Sequence, residues 1–266
     1  MMAEGPVTPR HPWPRFSRRA LAVLLRHWWS WRKTYRSSVL LNFGEPLLNL
    51  VALGWGLGAY VTRINDLSFL EFVAPGLMAV TAMNAVVFDT AFGGHLRLHR
   101  EGIYDAAMNT SLSENELVAG DLLWEAARSL LYGTIFLLVL LAFGLVRSAW
   151  VLVVPAVLIL MGLLFAALTL TVVTKARELE YLFYFFSLVI TPMFLFSGVF
   201  FPVERLPEAL AWVVRLLPLY HAVEILRDLV LGQVGRATWV HFVWLAVMTL
   251  AVMRLPVPHL RKVLQK

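Results

Sequence analysis

Six long, mostly apolar segments constrain the fold of this 266-residue sequence more than any other feature. A helix needs about 20 mostly apolar residues to cross the roughly 30 Å of hydrocarbon in a bilayer. The six segments are Val39–Val61, Phe72–Gly94, Ala119–Val146, Trp150–Thr174, Tyr181–Phe201 and Trp239–Val257. The sequence therefore predicts an all-α, polytopic membrane protein with six transmembrane helices.

The composition agrees with a single membrane domain. Hydrophobic residues make up 59% of the chain and charged residues 15%, whereas a soluble domain is about 45–50% apolar and about 25% charged. We expect a transmembrane domain at residues 39–257, with cytoplasmic tails at 1–38 and 258–266. Cysteine is absent, which excludes a disulfide framework, a thiolate metal site and a cysteine nucleophile.

Lysine and arginine are distributed unequally between the two sides of the predicted bundle. Sixteen of the 23 lie on one side, in the two tails, in the loops around 95–118 and 175–180 and at Arg254 near the end of the last span; six lie on the other side, and Arg128 falls inside the third span. Because cytoplasmic loops carry the excess of Lys and Arg, both termini are predicted to be cytoplasmic in a cell (inner or plasma) membrane. This orientation explains the net charge of +6 better than a nucleic-acid partner does.

The N-terminal tail contains a predicted amphipathic helix. Leu21, Leu24, Trp28, Trp31 and Tyr35 recur on one helical face, and basic residues lie largely opposite. A basic helix with an aromatic stripe suits the interface plane of a bilayer. The alternative is a core-packing helix of a small cytosolic cap.

Motifs for bound nucleotides and for hydrolysis are missing from the sequence. The dipeptide Gly-Lys does not occur, so there is no P-loop, and neither HExxH nor G-x-S-x-G is present. We expect no catalytic residues, no metal site and no cofactor bound by this chain. Energy must come from a gradient or from a partner chain.

Polar residues interrupt the first predicted span. Asn42, Glu45 and Asn49 are spaced i, i+3, i+7 and share one helical face. Such groups usually face the bundle interior or a water-filled path. They either line a translocation path or hold the bundle together through interhelical hydrogen bonds.

Charged residues also occur near the cytoplasmic ends of the second and third spans. Asp121, Glu125 and Arg128 are spaced i, i+4, i+7, and Glu125 can pair with Arg128. Asp89 can be balanced by Arg97 or Arg128. Neutralisation of charge at the interface and a functional role are both compatible with this pattern.

The loop at residues 95–118 joins these two spans and is long and polar. It contains a predicted short helix near Gly102–Met108, and Ser113 with Glu116 forms a capping-box pattern at the start of the third span. The loop is either a solvated linker or a docking element for a cytoplasmic protein.

The outer segment between the last two spans is apolar but broken. Pro202 and Pro207 interrupt the helix, while Leu206, Leu210, Val213 and Leu217 form a predicted apolar face. Broken backbone at membrane depth is tolerated only when it is buried in protein or lines a cavity. We predict re-entrant helices over Gly198–Leu217 that close an exit, although a static plug is the alternative.

A further polar face follows this segment. His221, Glu224 and Asp228 are spaced i, i+3, i+7. A metal site is one interpretation, but a face toward a polar ligand or toward the cap fits better. The residues predicted for the exit cap are Gly198, Pro202, Glu204, Pro207, His221 and Glu224.

The outer segment also carries a family resemblance. ITPMFLFSGVFFPVERLP and LLPLYHAVEILRDLVLG resemble the type-2 ABC export permeases, and within them the nodulation protein J group. FGEPLLNLVALGWGLG, FVAPGLMAVTAMNAVVFDTAF and LVAGDLLWEAARSLL are similar to that group in the same order, so the resemblance covers nearly all of Val39–Val257.

The resemblance implies six spans, a homodimeric membrane unit and a separate ABC ATPase that uses ATP and Mg²⁺. It also implies that the 95–118 loop contains the coupling helix, with Arg97, Arg100, Tyr104, Asp105 and Met108 as the expected ATPase contacts. The implied function is outward transport of an amphiphilic substrate, such as a lipo-chitooligosaccharide, another glycolipid, a lipid or a drug. A gradient-driven carrier and a non-transporting membrane scaffold are the alternatives.

Overall fold

The structure is a computed structural model that describes residues 11–56, 58, 60, 63–64 and 67–265, without the side chains of Leu41, Phe43, Glu45 and Trp55. These residues are almost entirely helical. The helices are α1 (Arg18–Trp55), α2 (Phe69–Phe88), α3 (Ile103–Met108), α4 (Glu114–Ala142), α5 (Val154–Val173), α6 (Leu179–Phe185), α7 (Thr191–Phe196), α8 (Glu208–Val214), α9 (Pro218–Leu231), α10 (Arg236–Met253) and α11 (Pro256–Leu264).

Short elements extend or connect these helices. Two π-helical turns, Asp89–Gly93 and Leu96–Arg100, continue α2, and a third, Phe186–Ile190, joins α6 to α7. Two 3₁₀ turns cover Ala149–Val153 and Val203–Arg205. A hairpin of β1 (Arg63–Ile64) and β2 (Leu67–Ser68) precedes α2, with Arg63 opposite Ser68 and Ile64 opposite Leu67.

Five helical stretches of the described chain are long and apolar enough to cross a membrane. They are Phe69–Arg100, Glu114–Ala142, Ala149–Val173, Leu179–Phe196 and Arg236–Leu264. Helices α8 and α9 would make a sixth only as a pair that bends by 83°. The prediction of an all-α polytopic membrane protein is confirmed.

The N-terminal helix differs from the sequence prediction. No glycine or proline lies between Arg18 and Phe43, so α1 continues without a break past residue 38, where the interfacial helix was predicted to end. The 38 residues of α1 extend about 57 Å, enough to begin in the cytoplasm and still cross a bilayer. The polar residues of Val39–Val61 keep this first predicted span out of the five apolar stretches.

Both ends of the described chain meet at the start of α4. The side chain of Asn115 donates to the carbonyl of His11 at 2.8 Å, and Arg261 of α11 donates to the same Asn115 side chain at 3.1 Å. Arg254 also lies over the ring of Trp13, with its guanidinium carbon 4.5 Å from the ring centroid. Two ends on one side of the bundle require an even number of crossings, so the five apolar stretches need a sixth, for which α1 is long enough.

Helix α2 lies at the centre of the bundle. Every residue from Phe72 to Met83 is buried, against α1, α4, α5 and α9. Helices α4 and α5 approach closely where a glycine faces the partner: a Cβ on Gly162 would lie 2.6 Å from the Cα of Ala126. Small residues permit such close contact between membrane helices. This packing holds the charged groups of α2 and α4 next to one another.

The outer segment folds as short, broken helices. Helix α7 ends before Gly198, the 3₁₀ turn Val203–Arg205 follows, and α8 then bends by 83° into α9. Helix α9 packs along α2, and the backbone N–H of Arg147 after α4 donates to the carbonyl of Val230 at 2.9 Å. The segment therefore begins and ends on the side of the bundle away from the termini.

Candidate functional site

The coupling segment predicted from the sequence is a short helix beneath the bundle. Gly102 precedes α3 with φ +60°, a left-handed conformation that glycine adopts without steric cost. This residue reverses the chain between the π-helical turn ending at Arg100 and the first turn of α3. The turn aims one face of α3 at the start of α4.

Tyr104 anchors α3 to the bundle. Its side chain is completely buried, and its hydroxyl donates to Oδ2 of Asp121 in α4 at 2.5 Å. Burial, with the neighbouring Asp121 carboxylate, raises the pKa of Tyr104. The phenol therefore stays neutral and remains a hydrogen-bond donor.

Asp121 also joins α1 to this site. Its Oδ1 lies 2.7 Å from Nε2 of His27, and both side chains are buried. The His27 ring stacks on Trp124 with centroids 5.8 Å apart. A single carboxylate thus connects α1, α3 and α4. The sequence analysis did not single out His27. The feature that could have identified it is its position as a lone polar residue on the buried face of α1.

A second charged group lies beside the first, where α2 changes to π-helical turns. Asp89 is 3.4 Å from Nη1 of Arg128 and 3.7 Å from Nη1 of Arg97, so both predicted partners balance it. Arg128 also lies 3.6 Å from Glu125 and donates to the carbonyl of Ala85 at 3.0 Å. Asp89 Oδ2, Glu125 Oε2 and Arg97 Nε have no hydrogen-bond partner among the described residues.

The five predicted coupling residues divide into two groups. Arg100 and Asp105 are exposed. Tyr104 is a correction, because its full burial against Asp121 prevents direct contact with another protein. Arg97 is directed toward Asp89, and Met108 packs partly buried against the core. The exposed side of α3 is formed by Asp105, Ala106 and Asn109.

The predicted path residues lie along the second half of α1. Asn42 and Asn49 are partly exposed, and the side-chain amide of Asn42 donates to the carbonyl of Ser38 at 2.7 Å. The side chain of Glu45 lies outside the described residues. Leu40 and Leu48 on the same stretch are 72% and 69% exposed, so this half of α1 has a surface that the single chain does not cover.

Arg227 of α9 organises the outer cap. Its Nη2 donates to the carbonyl of Gly198 at 2.6 Å, its Nε donates to the carbonyl of Phe72 at 3.2 Å, and it pairs with Glu224. The guanidinium also lies over the Phe72 ring, 4.0 Å from its centroid. This buried cation ties the turn after α7 to α2 and α9. The sequence feature that indicates this role of Arg227 is its i, i+3 spacing from Glu224.

A histidine pair joins the cap to α10. Nδ1 of His221 lies 2.7 Å from Nδ1 of His241, and Nε2 of His221 lies 2.8 Å from the carbonyl oxygen of Arg215. A carbonyl only accepts, so Nε2 of His221 carries the proton and its Nδ1 accepts from His241. The His221 ring stacks on Trp244, with centroids 4.2 Å apart. The sequence prediction included His221 and omitted His241.

The other predicted cap residues have mixed surroundings. Gly198, in a left-handed conformation with φ +75°, and Pro202 are buried, Glu204 and Pro207 are exposed, and Glu224 is half-buried. Val213 of the predicted apolar face is 56% exposed, whereas Ala211 and Val214 form the buried side of α8.

The described part of the chain contains no group of three or more His, Asp or Glu side chains arranged to hold a metal ion. His221 and Glu224 bond instead to a backbone carbonyl, to a second histidine and to Arg227. The polar face of α9 therefore holds the cap together.

Five apolar crossing helices with buried charges at both ends define the chain as a multi-pass membrane protein. A model of the ABC-2 type transporter family matches residues 18–231. Nodulation protein J of Sinorhizobium fredii (strain NBRC 101917 / NGR234) is 34% identical over 235 residues, which cover 88% of this chain and 88% of that protein. Nodulation protein J of Rhizobium meliloti (strain 1021) is 35% identical over 213 residues, or 80% and 81% of the two chains.

The chain therefore belongs to the ABC-2 type transporter family. Membership makes it the membrane permease of an ABC exporter, a transport subunit whose ATPase is a separate partner.

Proposed function

We propose that this permease moves an amphiphilic substrate outward across the inner membrane, and that α3 couples the transport to the partner ATPase. The observation that carries this proposal is the position of α3, anchored through Tyr104 and Asp121 with Asp105 exposed. A force on the exposed side of α3 would reach α4 through the hydrogen bond from Tyr104 to Asp121. It would reach α1 through the contact of Asp121 with His27. The substrate class rests on the resemblance to the nodulation protein J group, which implies a lipo-chitooligosaccharide or another glycolipid.

Reconstitution tests the proposal. Vesicles would contain the chain with or without its ABC ATPase, with a fluorescent lipo-chitooligosaccharide and a matched fluorescent phospholipid as probes. We expect export of the glycolipid only when both the ATPase and ATP are present. Transport that continues without ATP or partner would indicate a gradient-driven carrier, and transport of neither probe would support a scaffold.

The functional unit that we propose is a homodimer, with the α1 surface around Asn42 and Asn49 facing a path between two copies. Partly exposed polar side chains are unfavourable in lipid, and a second copy would cover them together with Leu40 and Leu48. Because the chain lacks cysteine, Ala52→Cys, at an exposed position of α1, can be oxidised in native membranes. We expect a disulfide dimer from Ala52→Cys and none from Val243→Cys, an exposed control on α10.

The proposed orientation places both termini, α3 and the 174–178 loop in the cytoplasm. The excess of Lys and Arg on this side supports it, as do the contacts of His11 and Arg261 with Asn115. The segment from Gly198 to Glu224 then closes the outer end, and Glu204 is its exposed marker. A water-soluble thiol reagent added outside should label Glu204→Cys and leave Asp105→Cys unlabelled until the membrane is opened.

A further inference from the structure

A cavity of about 350 Å³ lies beside Arg100 of the predicted coupling segment and away from the outer cap, on the side that the proposed orientation places in the cytoplasm. It is lined by His95, His99 and Arg100 after α2, and by Arg177, Glu178 and Glu180 at the start of α6. Its volume is at the lower end of the about 300–1,000 Å³ that is typical of small-molecule sites. The opening lies between the ends of two membrane-crossing stretches, Phe69–Arg100 and Leu179–Phe196.

Charges of both signs line the cavity without neutralising one another. Within the described residues, none of Arg100, Arg177, Glu178 and Glu180 forms an ion pair. All four are exposed, so their charged groups remain available to a ligand. A purely anionic ligand would meet the two carboxylates as well as the two guanidinium groups. The lining therefore fits a ligand that carries one negative and one positive group.

A buried histidine with a free ring nitrogen completes the lining. His95 is only 2% exposed, and its Nδ1 has no hydrogen-bond partner in the described chain. Its ring centroid lies 4.7 Å from that of His99, whose Nε2 is 3.5 Å from the carbonyl oxygen of Val173. A buried polar atom without a partner is costly, and an acidic oxygen or hydroxyl in the cavity would supply that partner.

The surface beside the cavity is apolar. Tyr181, Phe183 and Tyr184 of α6 are 57%, 57% and 61% exposed, and Leu96 is 41% exposed. Aromatic side chains of this kind are enriched where a membrane protein meets the headgroup level. A ligand with its polar part in the cavity would therefore extend its apolar part along α6.

We propose that this cavity binds the headgroup of an inner-leaflet phospholipid that carries both a phosphate and a primary ammonium. The phosphate contacts Arg100, Arg177 and the histidines, and the ammonium contacts Glu178 and Glu180. Basic pockets between membrane helices on the cytoplasmic side are known to hold lipid headgroups, and the two glutamates select the zwitterion. This inference rests on the proposed orientation but not on the proposed transport function.

Native mass spectrometry of the purified full chain tests the inference. The probes are phosphatidylethanolamine, phosphatidylglycerol and phosphatidylcholine with identical acyl chains. We expect phosphatidylethanolamine to bind most tightly, and Arg100→Ala/Arg177→Ala to weaken it at least about tenfold. Arg177→Lys, which keeps a phosphate-binding charge, should retain most of the binding. Glu178→Gln/Glu180→Gln should remove the preference over phosphatidylglycerol.

Lys175→Ala is the matched control, because Lys175 is exposed in the same loop but does not line the cavity. It should bind all three lipids as the unmodified chain does. If the double arginine variant behaves like Lys175→Ala, only surface lipid is present and the inference is wrong. Inorganic phosphate that displaces phosphatidylethanolamine completely would indicate a site for a free anion. In a separate pull-down from membranes, loss of the ATPase from the double arginine variant, with unchanged lipid binding, would assign the cavity to a protein contact and overturn the inference.

Discussion

The charged cluster around Asp89 and the outer cap both bury an arginine, but they use it differently. In the charged cluster Arg128 faces Asp89 and Glu125 at 3.4 and 3.6 Å, and three nearby polar atoms lack hydrogen-bond partners among the described residues. In the cap Arg227 reaches backbone carbonyls of two separate segments at 2.6 and 3.2 Å. Both arginines also pair with a carboxylate and a backbone carbonyl, but Arg128 bonds only the carbonyl of Ala85 in α2, whereas Arg227 joins the backbone of two separate segments.

This difference suggests different roles for the two ends. The ion pairs of Asp89, at 3.4 and 3.7 Å, are longer than ideal charge-assisted hydrogen bonds, so these contacts can exchange partners at a lower cost. A guanidinium bonded to carbonyls of distant segments holds one loop geometry instead. We expect the charged cluster around Asp89 to rearrange during the transport cycle and the Arg227 contacts to persist within the cap.

Removing Asp121 should have the largest effect. Asp121→Ala leaves the buried His27 and Tyr104 without their shared acceptor, and each lost hydrogen bond to a charged group costs about 1.5–3 kcal/mol. A denaturant titration in mild detergent measures the loss. Asp105→Ala, an exposed change on the same loop, should stay within about 0.5 kcal/mol. Equal stability of both variants would mean that Asp121 does not anchor α3.

Arg227→Lys should have the next largest effect, because lysine keeps the charge but cannot reach both carbonyls and Glu224 together. One lost hydrogen bond to a charged group costs about 1.5–3 kcal/mol. Arg236→Lys, exposed at the start of α10, is the control. The cap should also loosen, so a cysteine at the buried Val214 should react faster with a water-soluble thiol reagent. Unchanged reactivity there would show that Arg227 does not hold the cap.

Two glycines permit a smaller and more selective comparison. Gly102 and Gly144 have φ +60° and +69°, and a Cβ on either would meet nothing within 4 Å. Alanine at either position should therefore cost a similar amount, about 1–2 kcal/mol. Only Gly102→Ala, which changes the approach to α3, should lower the ratio of substrate exported to ATP hydrolysed. If Gly102→Ala and Gly144→Ala lowered this ratio equally, the turn at Gly102 would have no special role in coupling.

The sequence predicts the helical class and the breaks in the segment after α7 well, because both depend on local signals. Long apolar runs identify crossing helices, and Pro202 and Pro207 identify the breaks between the short helices. The continuity of α1 was less predictable, since the charges before residue 38 resemble those of a surface helix. The buried face of α1 packs against α4, where a Cβ added to Gly120 would lie 2.4 Å from the Cβ of Val23. Close packing against α4 therefore decides which face of α1 is buried.

The site was predicted in part. The position of α3 in the loop and the pairing of Asp89 with Arg97 and Arg128 followed from spacing. The inward direction of Tyr104 did not, because it depends on the left-handed Gly102 and on Asp121, 17 residues away in the chain. His241 contacts His221 across 20 residues, and helical periodicity does not predict a contact between two separate helices.

Crosslinking from α3 to the ATPase tests the central claim most directly. Asp105→Cys in this cysteine-free chain would carry a short photoactivatable crosslinker in native membranes that contain the ATPase. Glu208→Cys, exposed on the outer cap, is the matched control. We predict an ATPase adduct from Asp105→Cys and none from Glu208→Cys. No adduct from Asp105→Cys, with an adduct from Lys175→Cys in the other cytoplasmic loop, would contradict the assignment of α3 as the coupling helix.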